Sequence, residues 1–315
     1  MFKEIKTQPT LGEHILYQNL PKDFLYEIDQ LINWAPFESL LSKLHPSKVG
    51  RKAYNPLQMF KILIIQEFYN LSDPRVELDL YGNLFYRRFV KLYAGDPVPD
   101  HSTISRFRED LENMNLYLKC FDELKSQLKD LGFEIEKGKI VDARLVKAAR
   151  KPKKGDKDAD FTVKNNKVHY GYKDHIAIDE ENEFILEFMC SPASVHDSQV
   201  LDILLDGKEE ALYADKAYDS KKLREQCERK GTFYGVLTRG KRNRPLSEEE
   251  KKRNKKLSKI RSKIERVFGI FSLHLRRARA RYVGLLRNEI HLFLTCFTYN
   301  LLRLVGHKKR KRCFV

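Results

Sequence analysis

The period of apolar positions changes near residue 132, and that change splits the chain into a helical half and a half alternating strands with helices. In residues 12–45, Phe24, Ile28, Leu31, Ile32 and Trp34 recur at helical spacing, and Pro36 separates them from a short helix over 37–44. Residues 57–71 are apolar on almost every side, through Met59, Phe60, Ile62, Leu63, Ile64, Ile65 and Phe68, which predicts the central helix of a bundle. Ser72-Asp73-Pro74 opens the next helix, with Asp73 as cap and Pro74 at the first position, running to about Leu92. After a turn at 95–99, Asp100 or Ser102 caps a further helix. Residues 1–130 therefore read as all-α.

Beyond a boundary at 132–138 the apolar runs shorten. Strands are expected at 139–146, 168–179, 184–193, 211–215 and 233–238, and helices at 196–206, 219–230, 246–275 and 288–305. The order β-β-β-α-β-α-β-α predicts a mixed sheet with helices packed on it. Its first three strands can form an antiparallel meander, and the later ones need crossovers and hence parallel pairing. Residues 147–167 and 239–245 read as basic loops, and 307–312 as a basic tail. The apolar helix at 290–304 is expected to pack as core.

Three acidic residues stand out from this pattern. Asp142 interrupts the apolar run Ile140-Val141-Asp142-Ala143, Asp215 closes Ala211-Leu212-Tyr213-Ala214-Asp215, and Glu265 lies mid-helix. A carboxylate in a strand that otherwise reads as buried needs compensation, and a metal ion is a common compensator. Three convergent carboxylates would repel one another unless cations sat between them. The economical reading is a site for two divalent ions about 3.5–4 Å apart that serves phosphoryl transfer. Blander readings stand beside it: Asp215 as a turn cap, Asp142 as partner of a buried arginine, and Glu265 paired with Arg261 four residues earlier. His169, His175 and His196 match no zinc spacing, and His196 with Asp197 is expected to order a turn near the acidic edge.

Composition narrows the function. A net charge of +16 in 315 residues argues for a polyanionic partner, and 42% hydrophobic residues suffice for a core. Five scattered cysteines without a CxxC pair fit free thiols in a reducing compartment. The first residues read as polar, so no apolar leader is expected, and no run reaches the ~18 apolar residues that a membrane span needs. A cytoplasmic, nucleoid-associated protein is expected, with no membrane partner.

Seven motifs then fall in one order. Val98-Pro99-Asp100-His101-Ser102-Thr103-Ile104-Ser105-Arg106-Phe107-Arg108 resembles the helical DNA-binding region of the acidic-triad (DDE) transposases of bacterial insertion sequences, in the insertion-sequence-four and -five group. Val141-Asp142-Ala143 is similar to that group's first catalytic strand, and His169-Tyr170-Gly171-Tyr172-Lys173-Asp174-His175 to its second-strand motif. Pro192-Ala193-Ser194-Val195-His196-Asp197-Ser198 resembles the turn that follows, and Tyr213-Ala214-Asp215-Lys216-Ala217-Tyr218 the second aspartate motif. Ile264-Glu265-Arg266-Val267-Phe268-Gly269 resembles the glutamate helix, and 288–301 the closing helix.

The resemblance implies an α+β chain: an all-α DNA-binding and dimerisation region (1–130), a ribonuclease H-like mixed sheet flanked by helices (131–306), and the tail (307–315). It implies a transposase that binds terminal inverted repeats in double-stranded DNA, cuts at the ends and joins 3′-OH ends to target DNA, as a homodimer. Asp142, Asp215 and Glu265 would be both the catalytic residues and the ligands of two Mg²⁺, with Mn²⁺ able to substitute. Arg106, Arg108, Lys151, Lys153, Lys154, Lys216, Arg239, Lys241, Arg242 and Arg261 are the candidate DNA-binding residues, and His196 and Asp197 would support the metal edge. A non-cutting regulator derived from a transposase and a metal-dependent nuclease without strand transfer are the alternatives. One departure is visible. Where the group carries Tyr, Arg, Glu and Lys along one helix stripe, this chain has Ser258, Arg261, Glu265 and Ser272, so His274, Arg276 or Arg277 would have to stand in for the lysine.

Overall fold

The computed structural model describes residues 8–44, 52–135, 137–152, 155–164, 166–240 and 244–313. The chain forms two compact units, Met1–Leu128 with Leu301–Val315, and Lys129–Asn300. Lys153, Lys154, Lys241 and Arg242 lie outside the described residues.

The first unit is helical: α1 (Leu11–Asn19), α2 (Phe24–Leu31), α3 (Ala35–Leu41), α4 (Pro56–Phe68), α5 (Asp73–Gly82), α6 (Leu84–Val90), α7 (His101–Asn113) and α8 (Leu116–Asp130). The amphipathic stretch at the start is broken into two helices, because Asp23 accepts from the Tyr26 N–H and caps α2. Pro36 opens α3 rather than preceding it. Central α4 buries Met59, Phe60, Ile62, Leu63, Ile64 and Ile65, and packs against α3, α5, α6 and α7. Its one buried cation is satisfied locally: the Lys61 ammonium donates to Asp29 (2.6 Å) and to the Phe89 carbonyl (3.0 Å), above the Trp34 ring.

Two helix starts differ from expectation. Ser72, not Asp73, caps α5 by accepting from the Arg75 N–H. The helix expected to reach Leu92 is two, because Asn83 ends α5 and accepts from the Phe85 and Tyr86 N–H groups to start α6. Asp100 caps α7 through the Thr103 N–H. Ile104, Phe107 and Leu111 form the buried stripe of α7.

The second unit holds a six-stranded sheet of β1 (Gly138–Lys147), β2 (Asp160–Lys164), β3 (Lys167–Asp179), β4 (Ile185–Pro192), β5 (Ala211–Ala214) and β6 (Phe233–Val236). Its order is β2-β3-β1-β5-β6, with β4 also paired to β3. β3 runs antiparallel to β1, β2 and β4, whereas β1–β5 and β5–β6 are parallel. This is the mixed, helix-flanked sheet that the element order predicts. Strand β2 falls in a segment that reads as loop; it forms a hairpin with β3, with Phe161 opposite Tyr170 and Val163 opposite Val168. Phe161, Val163 and Val168 are all more than half exposed, so β2 has no buried face to mark it in the sequence.

The remaining elements are α9 (Leu201–Leu204), α10 (Lys221–Lys230), α11 (Glu248–Leu273) and α12 (Leu285–Cys313), with α12 crossing from the sheet unit into the helical one after Asn300. Val141 of β1 and Leu212 and Ala214 of β5 pack with Leu201, Leu204 and Leu223 of α9 and α10. Side chains alternate faces along a strand. Asp142 and Arg144 therefore face the other way, and both reach α11. The helix is 26 residues long, starts from a Ser247–Glu250 capping box, and buries Leu257, Ile264, Val267 and Phe271. Cys120, Cys190, Cys227 and Cys296 are buried free thiols. Among the described residues no helix is long and apolar enough to cross a membrane.

Candidate active site

The parallel ladder between β1 and β5 pairs Val141 with Ala214, so Asp142 and Asp215 are the next residues of adjacent strands. Glu265 arrives from α11. Between the three stands the Arg261 guanidinium. Its Nη2 is 3.1 Å from Asp142 Oδ2 and 3.3 Å from Glu265 Oε1, and its Nη1 is 3.5 Å from Asp215 Oδ1. Asp142 Oδ1 also accepts from the Ala143 N–H at 2.8 Å. The side chains grade from enclosed to open: Asp142 is 16% exposed, Asp215 31% and Glu265 62%. Burial pushes the Asp142 carboxyl above its ordinary value and the neighbouring Asp215 adds to this, while Arg261 and the Ala143 N–H pull against it. Burial works against the charge on Arg261, yet the three carboxylates raise its pKa on balance.

A set of three hard oxygen donors around one cation suits divalent metal ions. Tyr218, buried beneath this edge, leaves its hydroxyl without a partner and feels Asp197, Asp142 and Asp215; burial first, and then those charges, raise its pKa. Among the described residues no three acidic, His or Cys side chains are arranged to hold a metal ion as they stand, and the Arg261 guanidinium lies among these three carboxylates.

Comparison with known proteins decides the family. The model of the Transposase DDE domain matches residues 135–301, more than half of the chain, and that of the Transposase domain (DUF772) matches residues 14–110. The chain belongs to the DDE transposases. It is a DNA-binding, divalent-metal-dependent enzyme that cuts and joins DNA. One solved structure, a piggyBac transposase synaptic complex with hairpin DNA studied by cryo-EM, is similar over 95% of this chain and 78% of that chain, at 12% identity and a TM-score of 0.45.

Around the triad, the transposase places its other candidates unevenly. Asp197 accepts from Lys173 Nζ at 2.8 Å, and the same ammonium donates to the Val195 carbonyl at 2.7 Å. His196 accepts from the Ser198 N–H and caps the 3-10 turn 197–199. Lys216 and Arg239 are exposed and line an open cleft of about 580 Å³ with His196, Ser198, Lys221 and Arg224. Lys151 is exposed. Arg106 is exposed too, folded back on the first turn of α7 through the Ser102 carbonyl.

Arg108 lies inside the helical unit, not on the surface expected of a DNA contact. Its side chain is 5% exposed and donates to Asp73 (2.6 Å) and Gln66 (2.8 Å), so it braces α7 against α5 and α4 and has no face to offer DNA. Arg261 is likewise not turned outward toward phosphate, being engaged by the three carboxylates.

The departure at Ser272 has a structural counterpart. Arg144 Nη1 donates to Ser272 Oγ (2.7 Å) and to the Phe268 carbonyl (3.0 Å), and its Nη2 donates to the Arg277 carbonyl (2.5 Å). The glutamate helix is thereby fastened to the strand carrying Asp142. Arg277 cannot replace the missing lysine: it is buried, with Nε 2.9 Å and Nη2 2.7 Å from the two oxygens of the fully buried Asp174. His274 and Arg276 remain exposed. Arg144, Lys173 and Tyr218 do not stand out in the sequence. Arg144 lies two residues from Asp142, and the other two lie inside family motifs, but nothing in those motifs separates a bracing side chain from a solvated one.

Proposed function

We propose that Asp142, Asp215 and Glu265 are the catalytic residues and together hold two Mg²⁺ ions, with Mn²⁺ able to replace them. The observation that carries this reading is the convergence of three carboxylates, from β1, the end of β5 and α11, on a single cation. When bound, the ions would activate the attacking oxygen and offset charge on the leaving oxygen in an in-line displacement. Asp142, fixed in the sheet and bonded to the Ala143 N–H, sets one point of the site rigidly; Glu265, on an open helix face, can adjust. Arg144 keeps α11 in register with β1. Lys216, Lys221 and Arg239 line the neighbouring cleft and would grip phosphates without reading sequence. No side-chain nucleophile is required, and Tyr218 is poorly placed to be one, being buried with a raised pKa.

On this reading the substrate is double-stranded DNA carrying terminal inverted repeats, recognised with the help of residues 1–130. Two ends require at least a dimer, and the motif set supports placing the chain in the insertion-sequence-four and -five group. Asp142→Asn, Asp215→Asn and Glu265→Gln should each abolish cleavage and leave DNA binding largely intact. Near-normal cleavage in Mg²⁺ by any of them removes that residue from the site. Joined products with a target duplex, rather than cleavage alone, separate a transposase cycle from a nuclease.

A further inference from the structure

We propose that Arg261 is a displaceable internal cation: it holds the three carboxylates in a resting arrangement, must leave before divalent ions enter, and in leaving couples metal binding to DNA binding. The inference rests on the reading of Asp142, Asp215 and Glu265 as the metal ligands. The guanidinium touches all three, and while it does so they form no metal-sized cluster.

Its contacts are those of a side chain that can let go. At 3.1, 3.3 and 3.5 Å they are longer than the 2.7–2.9 Å of a good charge-assisted hydrogen bond. Arg261 Nε is buried without a partner, a cost that moving into water would relieve. Arg277 is the contrast within the same unit: it grips Asp174 with two bonds of 2.7 and 2.9 Å, and both residues are fully buried. Arg261 also has somewhere to go. Glu265 is 62% exposed, so the cluster is open on the α11 side, and rotation about the long arginine side chain can carry its head several ångströms with no change in the helix.

Once released, a planar guanidinium one helical turn from Glu265 is suited to take a DNA phosphate with two donors. DNA then stabilises the displaced side chain, and the vacated carboxylates accept metal more readily. By linkage the effect is reciprocal. Without DNA, the same arginine neutralises the site and keeps metal affinity low.

The test measures metal affinity, not turnover. Mn²⁺ binding to the full, DNA-free chain, followed by electron paramagnetic resonance, should be about tenfold or more tighter in Arg261→Gln than in wild type, within the roughly 5–150-fold range of such couplings. With Ca²⁺, wild type should bind a random-sequence duplex more tightly than in its absence at equal ionic strength, and Arg261→Gln should lose most of that gain. Equal or weaker Mn²⁺ binding by Arg261→Gln, or none by either protein, overturns the proposal. So does a Ca²⁺ gain that survives the substitution. A merely structural arginine would lower the melting temperature and leave Mn²⁺ affinity where it was. If Arg261→Gln fails to fold, Arg261→Met keeps the apolar stem without the charge and should likewise bind Mn²⁺ more tightly than wild type. Adding Asp142→Asn to the tight-binding variant should abolish the gain; a gain that persists means that the ions bind elsewhere, and the triad assignment falls as well.

Discussion

Replacing Arg277 with methionine should open the sheet unit locally by an amount that the buried pair sets. Asp174 is fully buried, and two Arg277 donors satisfy its two oxygens. Burial alone would raise the Asp174 carboxyl; Arg277, helped by Arg144, holds it below its usual value. Removing one partner of such a pair costs about 3–5 kcal/mol, because the other charge stays buried and uncompensated. Arg144 Nε, 3.6 Å from Asp174 Oδ2, remains as partial compensation, so the lower end, about 3 kcal/mol, is expected. The two-unit chain need not unfold in one step, and a global melt would blur the result. Cys190 supplies a local reporter, since it is buried and faces Asp174 across the β3–β4 ladder. At about 1.4 kcal/mol per factor of ten, its labelling by a thiol reagent, resolved by mass spectrometry, should accelerate on the order of a hundredfold. Asp174→Leu with Arg277→Met should recover most of the stability, since apolar replacement of a whole buried pair is often neutral. A rise of less than about fivefold, or a double variant costing the sum of the two single changes, refutes this account.

Two further outcomes follow from the same structure. Burial lifts Glu289 from 4.5 up to about 7 against the Cys190 N–H and Arg277. Its contribution to stability is therefore full below about pH 4.5 and lost as pH rises through 7. Glu289→Gln should gain on wild type across that window by on the order of 2–3 kcal/mol, and parallel stability profiles from pH 4.5 to 8 would contradict this. Neutralising Lys216, Lys221 and Arg239 together should weaken binding to all DNA sequences alike. It should also flatten the salt dependence, by up to roughly 0.9 log unit for each phosphate that is no longer neutralised. An unchanged slope in titrations at several salt concentrations would move the DNA path away from this cleft.

Most of the fold is legible in the sequence because burial writes it there. Strands β1, β3, β4 and β5 lie within a residue or two of their expected bounds, and central α4 within three, since one or both faces are packed. Elements without a buried face escape that pattern, as β2 shows. The boundary at Asn83 escapes it for another reason: a single side chain accepting two N–H groups ends one helix and starts the next without altering the apolar pattern. Among the site candidates, residue type and motif locate the acidic residues, but not the fate of the arginines. Arg106 and Arg108 are two positions apart on α7, yet one is solvated and the other enclosed by Asp73 and Gln66, whose approach depends on packing between helices distant in sequence. The motif pattern casts Arg261 as a phosphate ligand; that its guanidinium sits among all three carboxylates follows from the β1–β5 register, which no local pattern states.

That register makes the chain unequally tolerant of length changes. Asp142 and Asp215 are separated by 73 positions and Asp215 and Glu265 by 50, yet the distances between the carboxylates owe nothing to those counts. Loops can lengthen or shorten at small entropic expense and leave the site where it is. Within β1 or β5 a single inserted or deleted residue would act like a frameshift in three dimensions. Asp142 would rotate onto the face now held by Val141, bringing a carboxylate among Leu201, Leu204 and Leu223 and an apolar side chain to the metal edge. Diversification by insertion is therefore open to the loops of this protein and closed to the two short segments where one hydrogen-bond step decides between an active edge and a ruined core.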